Sequence, residues 1–143
     1  MFDPIYRDAA PGNTGHFEAV ATDGSSVYKL GSTIYLDATG KAKLCGGATN
    51  ANKVYGVVAG DADKTDTHVK VLKVEKDIIF KCPITGTNVS KAVKGMRLAI
   101  NTTDYGSVVS AAATLGADYI GATVVETYDA ANAGDMIEVR FEN

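Results

Sequence analysis

The chain has 143 residues, 45% of them apolar and 22% charged, with a formal charge of −3 and a pI near 5.3. That size and balance allow one domain with a real core and exclude the disordered class. There is no basic surplus or clustering of Lys and Arg such as a nucleic-acid binder carries, and the longest uncharged run of note, residues 107–117, is too short and polar to span a bilayer.

The N-terminus holds two acids and a proline within its first eight residues, where a secretory signal needs a basic start and an apolar stretch. Synthesis in a cytoplasm is therefore expected. Residues 1–25 carry two of the three prolines and read as an extended arm. Its apolar residues Phe2, Ile5, Tyr6 and Phe17 must be buried, on the protein's own barrel or on a neighbour.

Candidate strands follow at residues 17–21, 33–36, 54–59, 68–74, 77–81, 96–100, 119–126 and 136–141. The last is the clearest, with Ile137, Val139 and Phe141 alternating with Glu138 and Arg140. The stretch 68–74 changes parity between Val71 and Leu72, which predicts either a bulge or a strand covered on both faces. Turn signals at Asp23-Gly24, Thr39-Gly40, Gly46-Gly47, Tyr105-Gly106 and Gly134-Asp135 separate the segments. Two stretches, 88–94 and 108–115, could each form about two helical turns.

The chain also resembles itself. Gly31-Ser32-Thr33-Ile34-Tyr35-Leu36-Asp37 finds an echo in Gly95-Met96-Arg97-Leu98-Ala99-Ile100-Asn101. Val54-Tyr55-Gly56-Val57-Val58 echoes Tyr119-Ile120-Gly121-Ala122-Thr123-Val124-Val125, and Val69-Lys70-Val71 echoes Ile137-Glu138-Val139. The glycines suit positive φ where a strand begins and close approach of backbones where a small barrel bends. The expectation is an all-β fold with at most one or two short helices. It is a small barrel or sandwich of two similar β units, approximately 31–74 and 95–141, within a single β domain over residues 26–143.

Residues with chemical potential are sparse. His16, His68, Cys45 and Cys82 lack the spacing of a metal site, and two cysteines are too few for a disulfide scaffold, so both are read as reduced packing residues. The acidic stretch from Asp61 to His68 lacks the glycine and the terminal glutamate of a calcium loop and reads as a solvated hairpin loop. Ser26-Val27-Tyr28-Lys29 fits Ser-x-x-Lys without the partner motifs of acyl enzymes. No catalytic residue, metal ligand or cofactor site is assigned.

The pattern Gly31-x-x-Ile34-Tyr35-Leu36-Asp37-x-Thr39-Gly40-Lys41, then Val54-Tyr55-Gly56-Val57-Val58, then Gly134-Asp135-Met136-Ile137-Glu138-Val139-Arg140-Phe141, resembles the capsid decoration proteins of tailed bacteriophages. These are also called cement or head-stabilising proteins. The chain departs from a minimal member by long loops at 45–53 and 128–134. The resemblance implies a non-enzymatic virion protein without cofactor, made in the host bacterial cytoplasm and placed on the capsid exterior. Its partner would be the major capsid protein, with self-association as a dimer or trimer compatible, and neither nucleic acid nor membrane involved. The arm residues Phe2, Ile5, Tyr6 and Arg7 become the candidate capsid contact, by strand addition with apolar anchors. An adhesion or head/tail-fibre module is the alternative, and a small β-barrel enzyme using Asp61, Asp63 and Asp66 a more distant one.

Overall fold

In a computed structural model, the described residues are 1–47, 53–110 and 121–141. They form eleven strands: β1 Asp3–Ile5, β2 Phe17–Ala21, β3 Thr33–Leu36, β4 Ala42–Leu44, β5 Gly56–Val58, β6 His68–Lys73, β7 Ile79–Gly86, β8 Arg97–Ile100, β9 Val108–Ser110, β10 Ala122–Glu126 and β11 Met136–Arg140. A single 3-10 turn, Val89–Lys91, is all the helix that appears at 88–94. The other helical expectation fails in part, because Val108–Ser110 is strand β9; residues 111–115 lie outside the described residues.

The chain is all-β, and its strands fall into two units of one topology. The second runs β7-β11-β10-β8-β9, and a parallel pairing of β9 with β7 closes it into a five-stranded barrel. The first runs β2-β6-β5-β3-β4, the same order, and a single parallel bridge from Thr22 to Ala42 brings its two ends together. Each unit therefore begins one strand earlier than the repeat at 31 and 95 suggests. The missing first strands differ in pattern: β7 is buried through Ile79 and Phe80, whereas β2 is exposed at Phe17, Glu18 and Ala19.

The ladders fix which residues correspond. Thr33 pairs with Val57 and Ile34 with Gly56, while Arg97 pairs with Thr123 and Leu98 with Ala122. Gly56 is therefore the counterpart of Ala122, one residue away from the match to Gly121 that spacing suggests. Val69-Lys70-Val71 and Ile137-Glu138-Val139 do correspond, because β6 and β11 hold matching positions opposite β2 and β7. The leading glycines correspond as well. Gly31 has φ +81° and Gly95 φ +84°, and each donates its N–H across to a valine carbonyl, Val58 or Val124, at 2.8 Å. A side chain at either position would be strained.

The parity change in β6 has its cause in packing. Register runs without a break along both edges of this strand, so there is no bulge. Val69 and Val71 face the core of the first unit with Tyr28, Ile34 and Val58, while Leu72 joins the larger cluster around Phe80, Ile137 and Phe141. The register shift lies instead in β10, between Val124 and Glu126.

The arm differs from its expected outline. β2 is an integral strand of the first unit, so the arm ends before Phe17 rather than at residue 25. Its β1 adds antiparallel to β7, setting Asp3, Pro4 and Ile5 opposite Lys81, Phe80 and Ile79. Pro4 is tolerated because the ladder donors fall on its neighbours. Even-numbered residues of β7 bond toward β11, as Ile84 N–H does to Asp135, which leaves Ile79 and Lys81 to exchange bonds with Ile5 and Asp3.

A Cβ built on Gly56 would lie 2.3 Å from Val71 Cγ1 and 2.7 Å from the Leu72 carbonyl oxygen. Gly56→Ala is thus expected to destabilise the fold by about 1–3 kcal/mol in urea unfolding, since this packed site cannot yield. A stability change within the error of the measurement would refute the close approach.

Candidate functional site

The candidate contact surfaces are the arm, singled out by sequence, and the cleft where the two units meet. The arm's apolar residues lie on the protein's own second unit. Phe2 is 1% exposed, with its ring edge-on to Phe141 at 5.1 Å and to Phe80 at 6.4 Å between centroids. Phe80 and Phe141 meet in the same way at 5.3 Å, so Phe2 completes an aromatic triad at the mouth of the barrel. Ile5 and Tyr6 are half-buried, and Tyr6 packs against the same cluster.

Arg7 is exposed but engaged. Its two terminal nitrogens lie 2.8 and 2.5 Å from the two carboxylate oxygens of Glu138, a bidentate pair. Glu138 is 3% exposed, and it also accepts the Tyr128 hydroxyl at 2.6 Å. The bond from Arg7 holds the Glu138 carboxyl below its ordinary range, burial opposes this, and Tyr128 adds to the lowering. Tyr128 and Asp129 have φ of 50° and 56°, so the turn between β10 and β11 is left-handed at two non-glycine positions. That turn delivers the Tyr128 hydroxyl to Glu138. The four residues Phe2, Ile5, Tyr6 and Arg7 therefore serve the chain's own fold in this conformation, and Phe2 offers no free surface.

The cleft has a volume of about 360 Å³. The first unit lines it with Val27, Lys29, Leu30 and Leu44, the second with Thr103, Asp104 and Tyr105, and Met1 closes one side. Val27, Leu30 and Met1 are 42%, 48% and 52% exposed, which gives the cleft an apolar rim. Their positions are fixed from below. Tyr28, between Val27 and Lys29, is fully buried; its hydroxyl donates to the Ala42 carbonyl at 2.7 Å and accepts the Asp23 N–H at 3.1 Å. With Tyr28 pulled inward, its neighbour Val27 is turned out. Leu30 is held by its N–H, which donates to Asp61 at 2.6 Å.

Tyr105 supplies the other wall. It sits at φ 55°, and its carbonyl accepts the Thr33 N–H at 2.9 Å and the Thr33 hydroxyl at 3.2 Å. Its ring lies against Gly46, where an added Cβ would come within 3.0 Å. Thr33 also donates its hydroxyl to the Cys45 carbonyl at 2.6 Å, and Gly47 N–H reaches Ile100 at 2.9 Å. The cleft is therefore braced by backbone bonds between the units.

Other residues with chemical potential are occupied in the fold. Asp63 accepts the Thr65 N–H and hydroxyl, and Asp66 accepts the Asp63 N–H, so these carboxylates cap their own loop. Ser26 donates its hydroxyl to Asp23 at 2.8 Å. Cys45 and Cys82 are free and buried, and burial pushes both thiols up to about 12. Such thiols are poor nucleophiles at neutral pH. Val27, Leu30 and Tyr105 were not singled out by sequence as candidate site residues. The available signal was weak: apolar residues between Gly24 and Gly31 with no strand pattern, and a tyrosine before Gly106 in a turn.

Comparison with known proteins finds neither a family model nor a curated protein that matches this chain.

The Arg7–Glu138 pair predicts a pH-dependent arm. A carboxyl whose value is lowered by folding contributes stability that is fully present above its unfolded value, 4.5, and that is lost as pH falls through the lower folded value. The protection of the Ile5 amide, its exchange rate relative to the unfolded chain at the same pH, should therefore weaken as the solution is acidified below 4.5. Glu138→Gln should abolish that acid step; its persistence in this variant would show that another group governs the arm. Phe2→Ala should cost about 3–5 kcal/mol in urea unfolding, as for a core aromatic; an effect near zero would place Phe2 outside the core.

Proposed function

We propose that this chain is a virion structural protein. In this reading it is a capsid decoration protein that binds the outside of an assembled phage shell and stabilises its expanded form by bridging capsomers. The single observation that carries the reading is the apolar rim of Met1, Val27 and Leu30 around a cleft braced by both units. Exposed large apolar side chains gathered on a rigid platform suit contact with another protein surface. The resemblance of the stretches beginning at Gly31, Val54 and Gly134 supports the same reading.

The mechanism is one of linkage rather than turnover. A protein that binds only the expanded shell lowers the free energy of that state by mass action. Many copies on one lattice multiply the effect, because a copy already seated on one capsomer meets the next at high effective concentration. The partner is the major capsid protein. Its contact falls on the cleft rim rather than on Phe2, whose ring is committed to Phe80 and Phe141.

Co-sedimentation with purified expanded and unexpanded shells tests this. Selective retention on expanded shells is expected, and the double variant Val27→Ser, Leu30→Ser should weaken it roughly tenfold, as removal of interface anchors does. Its melting temperature should stay near that of the unaltered protein, because both side chains are solvent-exposed. No retention on either shell, or retention unchanged in the double variant, would overturn the proposal.

A further inference from the structure

The correspondence between the units exposes a vacancy. In the second unit, the edge of β7 is covered by β1 at Ile79, Phe80 and Lys81. The ladders make Phe17, Glu18 and Ala19 of β2 the counterparts of those residues. Among the described residues, no strand pairs with that edge of β2. Ile79 is fully buried, whereas Phe17 is 48% exposed.

The edge is also chemically ready. Lys73 N–H bonds to the His16 carbonyl, and Thr22 N–H to the Thr67 carbonyl. This phases the antiparallel ladder so that even-numbered residues of β2 face β6. The N–H and C=O of Phe17 and Ala19 then point away from β6, toward the open side. They match Ile79 and Lys81, the residues that receive β1.

The side chains around this edge differ from those around β7. Glu18 stands where Phe80 does, Lys73 where Phe141 does, and Lys70 where Glu138 does. Lys70 lies with its ammonium 5.0 Å from the Phe17 ring centroid, and Lys73 with its ammonium 5.6 Å from that of Tyr55. The chain's own arm, copied from a second molecule, would bring Phe2 to a polar mouth and Arg7 against Lys70. Like charges brought together in this way suppress pairing.

We propose that the open edge of β2 is a strand-addition site for an acidic extended segment of a partner protein. The added strand runs antiparallel to β2, exchanges backbone bonds with Phe17 and Ala19, covers the Phe17 ring, and sets its carboxylates against Lys70 on the Phe17 face. The backbone contributes affinity and Lys70 the sign of the charge selected. The site is separate from the cleft and stands whether or not a capsid is the partner.

The test uses the purified full chain in solution. In amide exchange, Ile79 and Lys81 should be protected while Phe17 and Ala19 exchange freely. Three synthetic peptides are then titrated while amide resonances are followed: acetyl-Thr-Val-Thr-Val-Thr-Asp-Glu-Asp-amide, its all-lysine counterpart at the acidic positions, and the chain's own residues 1–9. Only the acidic peptide should give saturable shifts at Phe17, Ala19 and Lys70. Lys70→Glu should weaken that peptide roughly fivefold, in line with reversal of one exposed pair. Ala19→Pro, which removes an outward N–H without touching the bonds to β6, should abolish it. Absence of saturable shifts with the acidic peptide, equal response to the lysine peptide, or binding unaffected by both variants would overturn the proposal. So would concentration-dependent protection of Phe17 and Ala19 in the free protein, which would show a second copy seated there.

Discussion

The fold depends on β5, and the Leu72 end of β6, being buried on both faces. Inward, Val58, Val69 and Val71 close a small core with Tyr28, Ile34 and Ala42. Outward, Val57 and Leu72 enter the larger cluster that also holds Phe80, Cys82 and Ile137. The first unit has too little core to persist alone, since so small a unit leaves much of its surface wet. Its outer face lends apolar surface to its neighbour, and the pair becomes one cooperative body. The backbone bonds from Thr33 to Tyr105 and from Gly47 to Ile100 then set the two units in a fixed relation. The cleft between them is a consequence of that relation.

The arm follows from the same economy of apolar surface. A five-stranded barrel has an open mouth, and in the second unit the mouth is lined by Phe80 and Phe141. Phe2 fills it, and the chain must be extended through Pro4 and Ile5 to reach it. Arg7 and Glu138 secure the far end. In the first unit the corresponding mouth carries Glu18 in contact with the Tyr55 hydroxyl, and Lys73 over the Tyr55 ring. A polar mouth has no need of a plug. One topology thus supports two different edges because the residues around the rim, and not the backbone, decide what covers it.

Much of this was legible in the sequence, and the limits have physical causes. Alternation in 136–141 and the glycines at 31 and 95 marked strands and their beginnings, because period two and positive φ leave direct traces. The match of Val69-Lys70-Val71 to Ile137-Glu138-Val139 held in the ladders. The match of Gly56 to Gly121 slipped by one residue, because the two glycines serve different close approaches: Gly56 lies against Val71 and Leu72 of β6, Gly121 against the Leu98 carbonyl of β8. β1, β4 and β9 are three residues each, too short for periodicity to register. The parity change in β6 was visible, but its meaning was not. Only tertiary contact distinguishes a bulge from a strand buried on both sides.

The candidate sites were the least legible part, for a related reason. Exposure of an apolar residue is a property of its neighbours. Phe2 and Phe17 look alike in sequence, each an aromatic beside an acidic residue near the N-terminus, yet one is buried in an aromatic triad and the other lies open at an edge. Their fates differ because Phe2 finds an apolar mouth and Phe17 follows the ladder of β2 along its outer face. The comparison that reveals the open edge needs both units at once. Neither the residues of β2 nor those of β7 carry it alone, and it emerges only when Ile79 under β1 is set beside Phe17, whose edge no strand among the described residues pairs with. A repeat within one chain thus acts as an internal control: where the backbone is shared and the side chains diverge, the divergence marks what each half is built to meet.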